Sequence, residues 1–361
     1  MIFAFGLLRW RAFGIALLLA AAVAAPLGGS ARGGEIPSEF PGSAASKHAV
    51  GPHADPNSPN SCRPQDEIWV VSTRDIDCVA SGEAPALSFA VRGKDGKLLD
   101  ANLQTFVAAT RHGQSRFWFH GYGVTADEAI EVGQVAYERF VSPDEPPVRF
   151  VVWSWPSERE GRRLKDIREK GCRTFVESYC FGWLLAQMSA DAETSAVGYS
   201  YGTRIISGGL HLVGGGELTG LRLATPMVNV SAPVSAQNDE QPATPRSCRA
   251  VLLAAAMGND WLVEGGCTDR ALGQTSQMLS IYSSCDRVLK WYPAASRGNG
   301  EALGYRGLAQ LPPRDDGNGK FGQLDVAYLI GTNHDLETYL GHLEITAAAR
   351  EALSPQSAAA K

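Results

Sequence analysis

Residues 195–202 read SAVGYSYG, and no other stretch constrains this chain as tightly. A short run suited to a buried strand leads straight into Gly198-Tyr199-Ser200-Tyr201-Gly202, and a helical run follows over 202–212 in spite of a Gly-Gly pair. A serine held between glycines in that setting sits on a sharp strand-to-helix turn, with its hydroxyl lifted above the sheet. Glycine two residues before and two after removes side chains where the turn presses backbone against backbone. The N–H of Tyr201 then stands at a helix N-terminus, suited to holding an oxyanion. The turn therefore demands a strand before it and a helix after it.

The rest of the chain supplies that alternation. Apolar, β-branched or aromatic runs predict strands at 67–73 (EIWVVST), 86–91, 104–109, 116–120 (RFWFH), 148–153 (VRFVVW), 250–256 (AVLLAAA), 278–282 (MLSIY) and 326–330 (VAYLI), with a turn at 93–96. Thr125 and Glu128 form a capping box for a helix whose apolar positions, from Ala129 and Ile130 to Phe140, keep helical spacing. A second helix is predicted around 175–188, preceded by a charged run over 158–170 that reads as a solvated helix face or a lid. The proline-bearing segment 214–246 reads as a long loop or insertion. Strands alternating with helices predict an α/β domain over 61–350, a mostly parallel sheet with helices on both faces.

The ends are of another character. Arg9 and Arg11, the apolar run 12–25 and an Ala-x-Ala pattern at Ala22 and Ala24 predict a cleaved export signal over 1–25, leaving no membrane span. Residues 26–60, rich in Gly, Ser, Pro and Ala, predict a disordered leader, and 351–361 a frayed tail. The expected location is periplasmic or secreted. A net charge of −5 offers no basic excess for nucleic acid. Export would allow disulfides among Cys62, Cys78, Cys172, Cys180, Cys248, Cys267 and Cys285, with at least one thiol left over. No Cys/His spacing suits zinc, and no metal or organic cofactor is implied.

A serine hydroxyl needs a base to take its proton and a carboxylate to orient that base, in the chain order Ser, Asp or Glu, His. Of the histidines after Ser200, His334 follows the apolar run 326–330 across a Gly-Thr-Asn loop, which suits a base hung over a sheet. His211 lies within the helix after the serine, and His342 lies in the last helical segment. Asp286 and Asp260 both follow predicted strands and both fit the order; Asp325 and Asp335 crowd the histidine's own strand. The loop His120-Gly121-Tyr122-Gly123 ends another strand and can offer a second oxyanion donor, the N–H of Tyr122 or else of Gly121. His120 precedes the serine and reads as a brace for that loop. Tyr122, Trp153, Trp155, Tyr199 and Tyr201 gather near these motifs; Tyr122 and Tyr199 are the candidate substrate contacts in an acyl or aryl pocket, and Trp153 reads as core.

Taken together, WFHGYG, VWSWPSE, GYSYG, IYSSCDRVLKWYP and the late NHD resemble the α/β-hydrolase superfamily. More narrowly they resemble a poorly characterised bacterial branch with an HG-aromatic loop, a Ser-Trp-Pro-Ser turn and an Asp-Arg-x-Leu element. The resemblance spans about 67–343. It implies Ser200 as nucleophile, Asp286 as acid and His334 as base, acting on a small-molecule or lipid-like ester. Tyr201 stands where Met or Gln is common in that family, and Asn333-His334-Asp335 replaces the usual Gly-His.

Overall fold

The computed structural model describes residues 62–109, 113–224, 246–296, 300–310 and 320–354. The expected signal and leader, and most of the 214–246 segment, lie outside the described residues. In chain order the elements are β1 (Glu67–Ser72), β2 (Ser88–Arg92), β3 (Leu98–Ala101), α1 (Leu103–Ala109), β4 (Gln114–Phe119), α2 (Ala126–Phe140), β5 (Val148–Ser154), α3 (Arg163–Gln187), β6 (Thr194–Tyr199), α4 (Gly202–Val213), β7 (Cys248–Leu253), β8 (Thr275–Tyr282), α5 (Tyr292–Ala295), α6 (Leu303–Arg306), β9 (Phe321–Asp325), α7 (Ala327–Ile330), α8 (Leu336–Gly341) and α9 (Leu343–Leu353).

The nine strands form one sheet in the order β3-β2-β1-β5-β4-β6-β7-β8-β9. β2 runs antiparallel to β1 and β3, and every other pairing is parallel. Side chains of the central strands alternate between two helical layers. Phe117, Phe119 and Trp153 pack on Phe181 of α3, with ring centroids 4.7 to 5.8 Å apart. Trp118 and Phe150 face the other way, onto Phe140 and Tyr137 of α2. Burial on both faces is why these strands read as unbroken apolar runs rather than as alternating ones. This is the α/β-hydrolase fold. The chain leaves β4 toward β5 on one side and returns to β6 on the other, so the crevice where such sheets bind ligands opens between the ends of β4 and β6.

Two predicted strands are helices. Residues 103–109 form α1, because Asn102 caps it: its Oδ1 accepts from the Thr105 N–H at 2.9 Å, while Phe106 is wholly buried. Residues 327–330 form the single turn α7, and the last strand is the more polar FGQLD just before it. Asp325 Oδ1 accepts from the Ala327 N–H at 3.0 Å and starts that turn. The C-terminal helix runs on to Leu353, with Ala352 and Leu353 buried, so the expected boundary at 350 falls within α9.

All seven cysteines are free, so the disulfides expected from export do not appear. Cys172 and Cys180 share α3. Eight residues of helix separate them by about 12 Å, well beyond the roughly 7 Å that a disulfide can bridge between Cα atoms. Cys180 and Cys248 lie in the core, where burial raises their thiol pKa values, the latter to about 12. Among the described residues no helix is long and apolar enough to cross a membrane.

Candidate active site

Ser200 joins β6 to α4 with φ of 52°, a left-handed conformation that a non-glycine residue adopts only under strain. The two glycines around it are there for space. A Cβ on Gly198 would lie 2.8 Å from the backbone of Gly202, and one on Gly202 would lie 2.2 Å from the Phe119 carbonyl oxygen at the end of β4. The Ser200 N–H donates to Leu253 O at 2.9 Å, and its carbonyl accepts from the Thr203 hydroxyl at 2.6 Å, which fixes the turn against β7 and α4.

The structure brings Ser200, His334 and Asp286 together. His334 Nε2 lies 3.2 Å from Ser200 Oγ, and its Nδ1 lies 2.7 Å from Asp286 Oδ2. A carboxylate only accepts, so Nδ1 carries the proton and Nε2 is left as the acceptor for the serine hydroxyl. Asp286 is fully buried, and its Oδ1 accepts the N–H groups of Val288 and Leu289, both at 2.8 Å. Its loop is tied to that of His334: Ser283 Oγ donates to Gly331 O at 2.6 Å, and the Arg287 N–H donates to Thr332 O at 3.2 Å. Asp260, the other candidate acid, is exposed on the loop after β7. His211 bonds to Glu217 O and accepts from the Arg270 N–H, apart from Ser200.

Tyr199, expected as a substrate contact, is turned toward the histidine loop. Its hydroxyl donates to the His334 carbonyl oxygen and its ring lies 5.5 Å from the imidazole, while burial holds its phenol well above the ordinary range. It thus supports the histidine loop from below. Trp153 and Trp155 are core.

The loop after β4 rests on the serine: a Cβ on Gly121 would lie 3.2 Å from Ser200 Cβ. Among the described residues, the N–H groups of Tyr122 and Tyr201 have no acceptor. The two rings meet edge to face at 6.5 Å. Both hydroxyls end on the first turns of α3. Tyr122 donates to the Asp166 carboxylate, and Tyr201 donates to Ile167 O at 3.0 Å. Burial and the Asp166 bond raise the Tyr122 phenol pKa. Asp166 is 2% exposed, so the charged run expected to be solvated instead turns one carboxylate inward. Ser157, of the SWPS turn, fixes the other flank: its carbonyl accepts from the Gly123 N–H at 2.7 Å and its hydroxyl from the Val124 N–H at 3.1 Å.

His120 braces this loop, as its position implied. It is stacked on Trp155 at 5.6 Å, its Nδ1 donates to Gly121 O at 3.0 Å, and its Nε2 accepts from the Trp155 N–H at 3.4 Å. Burial pushes its pKa down to about 3. An unfolded chain titrates this group near ~6.5, so between the two values the unfolded state holds the extra proton. The stability it confers is whole above about pH 6.5 and drains away as pH falls, by at most roughly 1.4 kcal/mol per pH unit. Denaturant unfolding of wild type and His120→Gln at pH 7, 5.5 and 4.5 should show the wild type losing more stability with acid than the variant does. Parallel profiles would refute this role.

A cavity of about 820 Å³ opens beside Tyr201, between the N-terminal parts of α3 and α4 and the loops after β7 and β8. Tyr201 lines it; Ser200, His334, Tyr122 and Tyr199 do not. Neither Arg204 of the cavity wall, inside an apolar helix, nor Asp166 behind Tyr122, inside a charged run, is marked by the sequence, because both types are ordinarily solvated. Among the described residues no cluster of side chains is arranged to hold a metal ion.

No protein-family model matches the chain, and no curated protein matches it. Among solved structures it is similar to the crystal structure of acyl-protein thioesterase 2 from Zea mays, at 13% identity and a TM-score of 0.31, over 67% of this chain and 95% of that one. A likeness that loose carries no argument about chemistry.

Proposed function

We propose that this protein is a serine hydrolase that cleaves carboxylic esters through an acyl-enzyme. The observation that carries the reading is the hydrogen-bonded run from Ser200 Oγ through His334 to Asp286, assembled from the ends of β6, β8 and the segment after β9. In the first half-reaction Ser200 Oγ attacks the ester carbonyl as His334 Nε2 takes its proton. The tetrahedral intermediate collapses, the C–O bond to the leaving group breaks, and His334 returns the proton to the departing alcohol. Water then attacks the acyl-enzyme by the same route and releases the acid. Asp286 holds the imidazole in its Nδ1–H tautomer and stabilises the cation that forms. The free N–H groups of Tyr201 and Tyr122 are the proposed oxyanion donors, each worth roughly 10²–10³ in rate. The substrate class is a small-molecule or lipid-like ester, and the amino-terminal sequence supports action outside the cytoplasm.

A fluorophosphonate probe and a panel of short p-nitrophenyl esters test this together. The expected result is stoichiometric labelling that peptide mapping assigns to Ser200, with ester turnover lost in step. Folded protein that neither labels nor turns over any ester would make this a scaffold retained for binding alone.

A further inference from the structure

We infer that the cavity beside Tyr201 receives an ester that carries a carboxylate on a flat, aromatic or similarly apolar body. The word "ester" rests on the hydrolase reading above; the binding preference does not.

Its walls are Phe175, Tyr201, Trp261 and Tyr292, with Arg168 and Arg204 between them. Aromatic faces around a cavity of this size suit a planar apolar group. Arg162 and Lys165 also line it but are exposed, so the two less exposed guanidinium groups set the charge inside. Arg204 is 8% exposed and pairs with no carboxylate among the described residues. Its bonds go to neutral groups: Ala256 O at 2.6 Å, Gly171 O at 3.2 Å and the Tyr292 hydroxyl at 3.1 Å. The rings of Tyr201, Trp261 and Tyr292 lie 4.5 to 5.6 Å from its guanidinium carbon. Arg168 donates to Ala294 O at 2.9 Å, while its Nε is buried with no acceptor, and it too pairs with no described carboxylate.

A buried cation without a counter-ion is costly, and π faces offset only part of that cost. Arginine's planar fork is matched best by a carboxylate. The carboxylate that does line the cavity, Glu169, is exposed and sits 3.4 Å from Lys165, so it leaves both guanidinium groups uncompensated. An anionic ligand would supply the missing charge. Tyr201 connects this cavity to the chemistry, since its ring forms the wall while its backbone adjoins Ser200.

Calorimetry on the full chain with 2-naphthoate and its neutral counterpart 2-naphthamide tests the preference. The carboxylate is expected to bind about tenfold more tightly, as one charge-assisted hydrogen bond would give. The gap should close in Arg168→Gln and in Arg204→Gln; should the second variant fail to fold, Arg168→Gln alone decides. Naphthoate should also compete with p-nitrophenyl butyrate. Equal binding of the two probes, a gap that survives in Arg168→Gln, or binding that leaves turnover uninhibited overturns the inference. Selective naphthoate binding without labelling of Ser200 would instead sink the hydrolase reading and leave the anion site standing.

Discussion

Replacing Ser200 by alanine is expected to lower ester turnover by at least roughly 10⁴-fold while leaving the protein folded. What the side chain does in the fold is small. Its hydroxyl meets His334 Nε2, whereas the bonds that hold the turn belong to its backbone, to Leu253, Thr203 and Ala256. Alanine inherits the same left-handed backbone at φ of 52°, and with it the same strain. Glycine does not, so Ser200→Gly should be equally inactive yet more stable than Ser200→Ala by about 1 kcal/mol. Esterase assays and thermal unfolding of the two variants check both halves. Turnover retained in either one would remove Ser200 from the chemistry. A Ser200→Gly protein no more stable than Ser200→Ala would show that the strain is not real.

The central strands were legible because burial on both faces leaves a signature that does not depend on register: RFWFH, VRFVVW and AVLLAAA are apolar whichever way they point. Short segments gave no such protection. VAYLI is as apolar as a strand, but it buries Val326 and Ile330, four apart, and exposes Tyr328 to 71%, which is a helical spacing too brief to declare itself. The edge strand beside it, FGQLD, is only partly buried along its length and so carries no apolar run to mark it. The position of His334 in the chain, after β8 and ahead of the last helix, does not depend on whether 326–330 is a strand or a turn.

The site divides the same way. Ser200, Asp286 and His334 announce themselves through a turn motif and chain order, and the geometry draws them within hydrogen-bonding distance. The residues that hold the loops do not. Asp166 sits among Arg162, Arg163, Lys165 and Arg168, where composition predicts solvent, and only the fold reveals that its carboxylate receives the Tyr122 hydroxyl. Tyr199 was legible as an aromatic beside the nucleophile but not as a support for the histidine, because the partner atom is a main-chain carbonyl 135 residues away. Side chain–backbone contacts of that kind leave no trace in residue type.

Gly202→Ala should cost far more stability than Ser200→Ala, because it acts on the frame. The added methyl would stand 2.2 Å from the Phe119 carbonyl oxygen, 2.7 Å from its carbon and 2.9 Å from its Cβ. Backbone at the centre of a parallel sheet cannot step aside as the tip of a flexible side chain can, so α4 must be pushed off β4. The expected destabilisation is about 3 kcal/mol or more, enough to deplete soluble protein in a domain of ordinary stability. What folds should label poorly with fluorophosphonate, since Phe119 leads directly into His120-Gly121 and any shift there moves the loop that rests on Ser200. Gly273→Ala is the matched control: its Cβ meets nothing within 4 Å, and its effect should stay within about 0.5 kcal/mol. Denaturation midpoints and labelling rates of the two variants decide the matter. A Gly202→Ala protein as stable and as reactive as wild type would mean that β4 and α4 do not meet as closely as described, and the His120-Gly121-Tyr122-Gly123 loop would then lose its seat beside the serine.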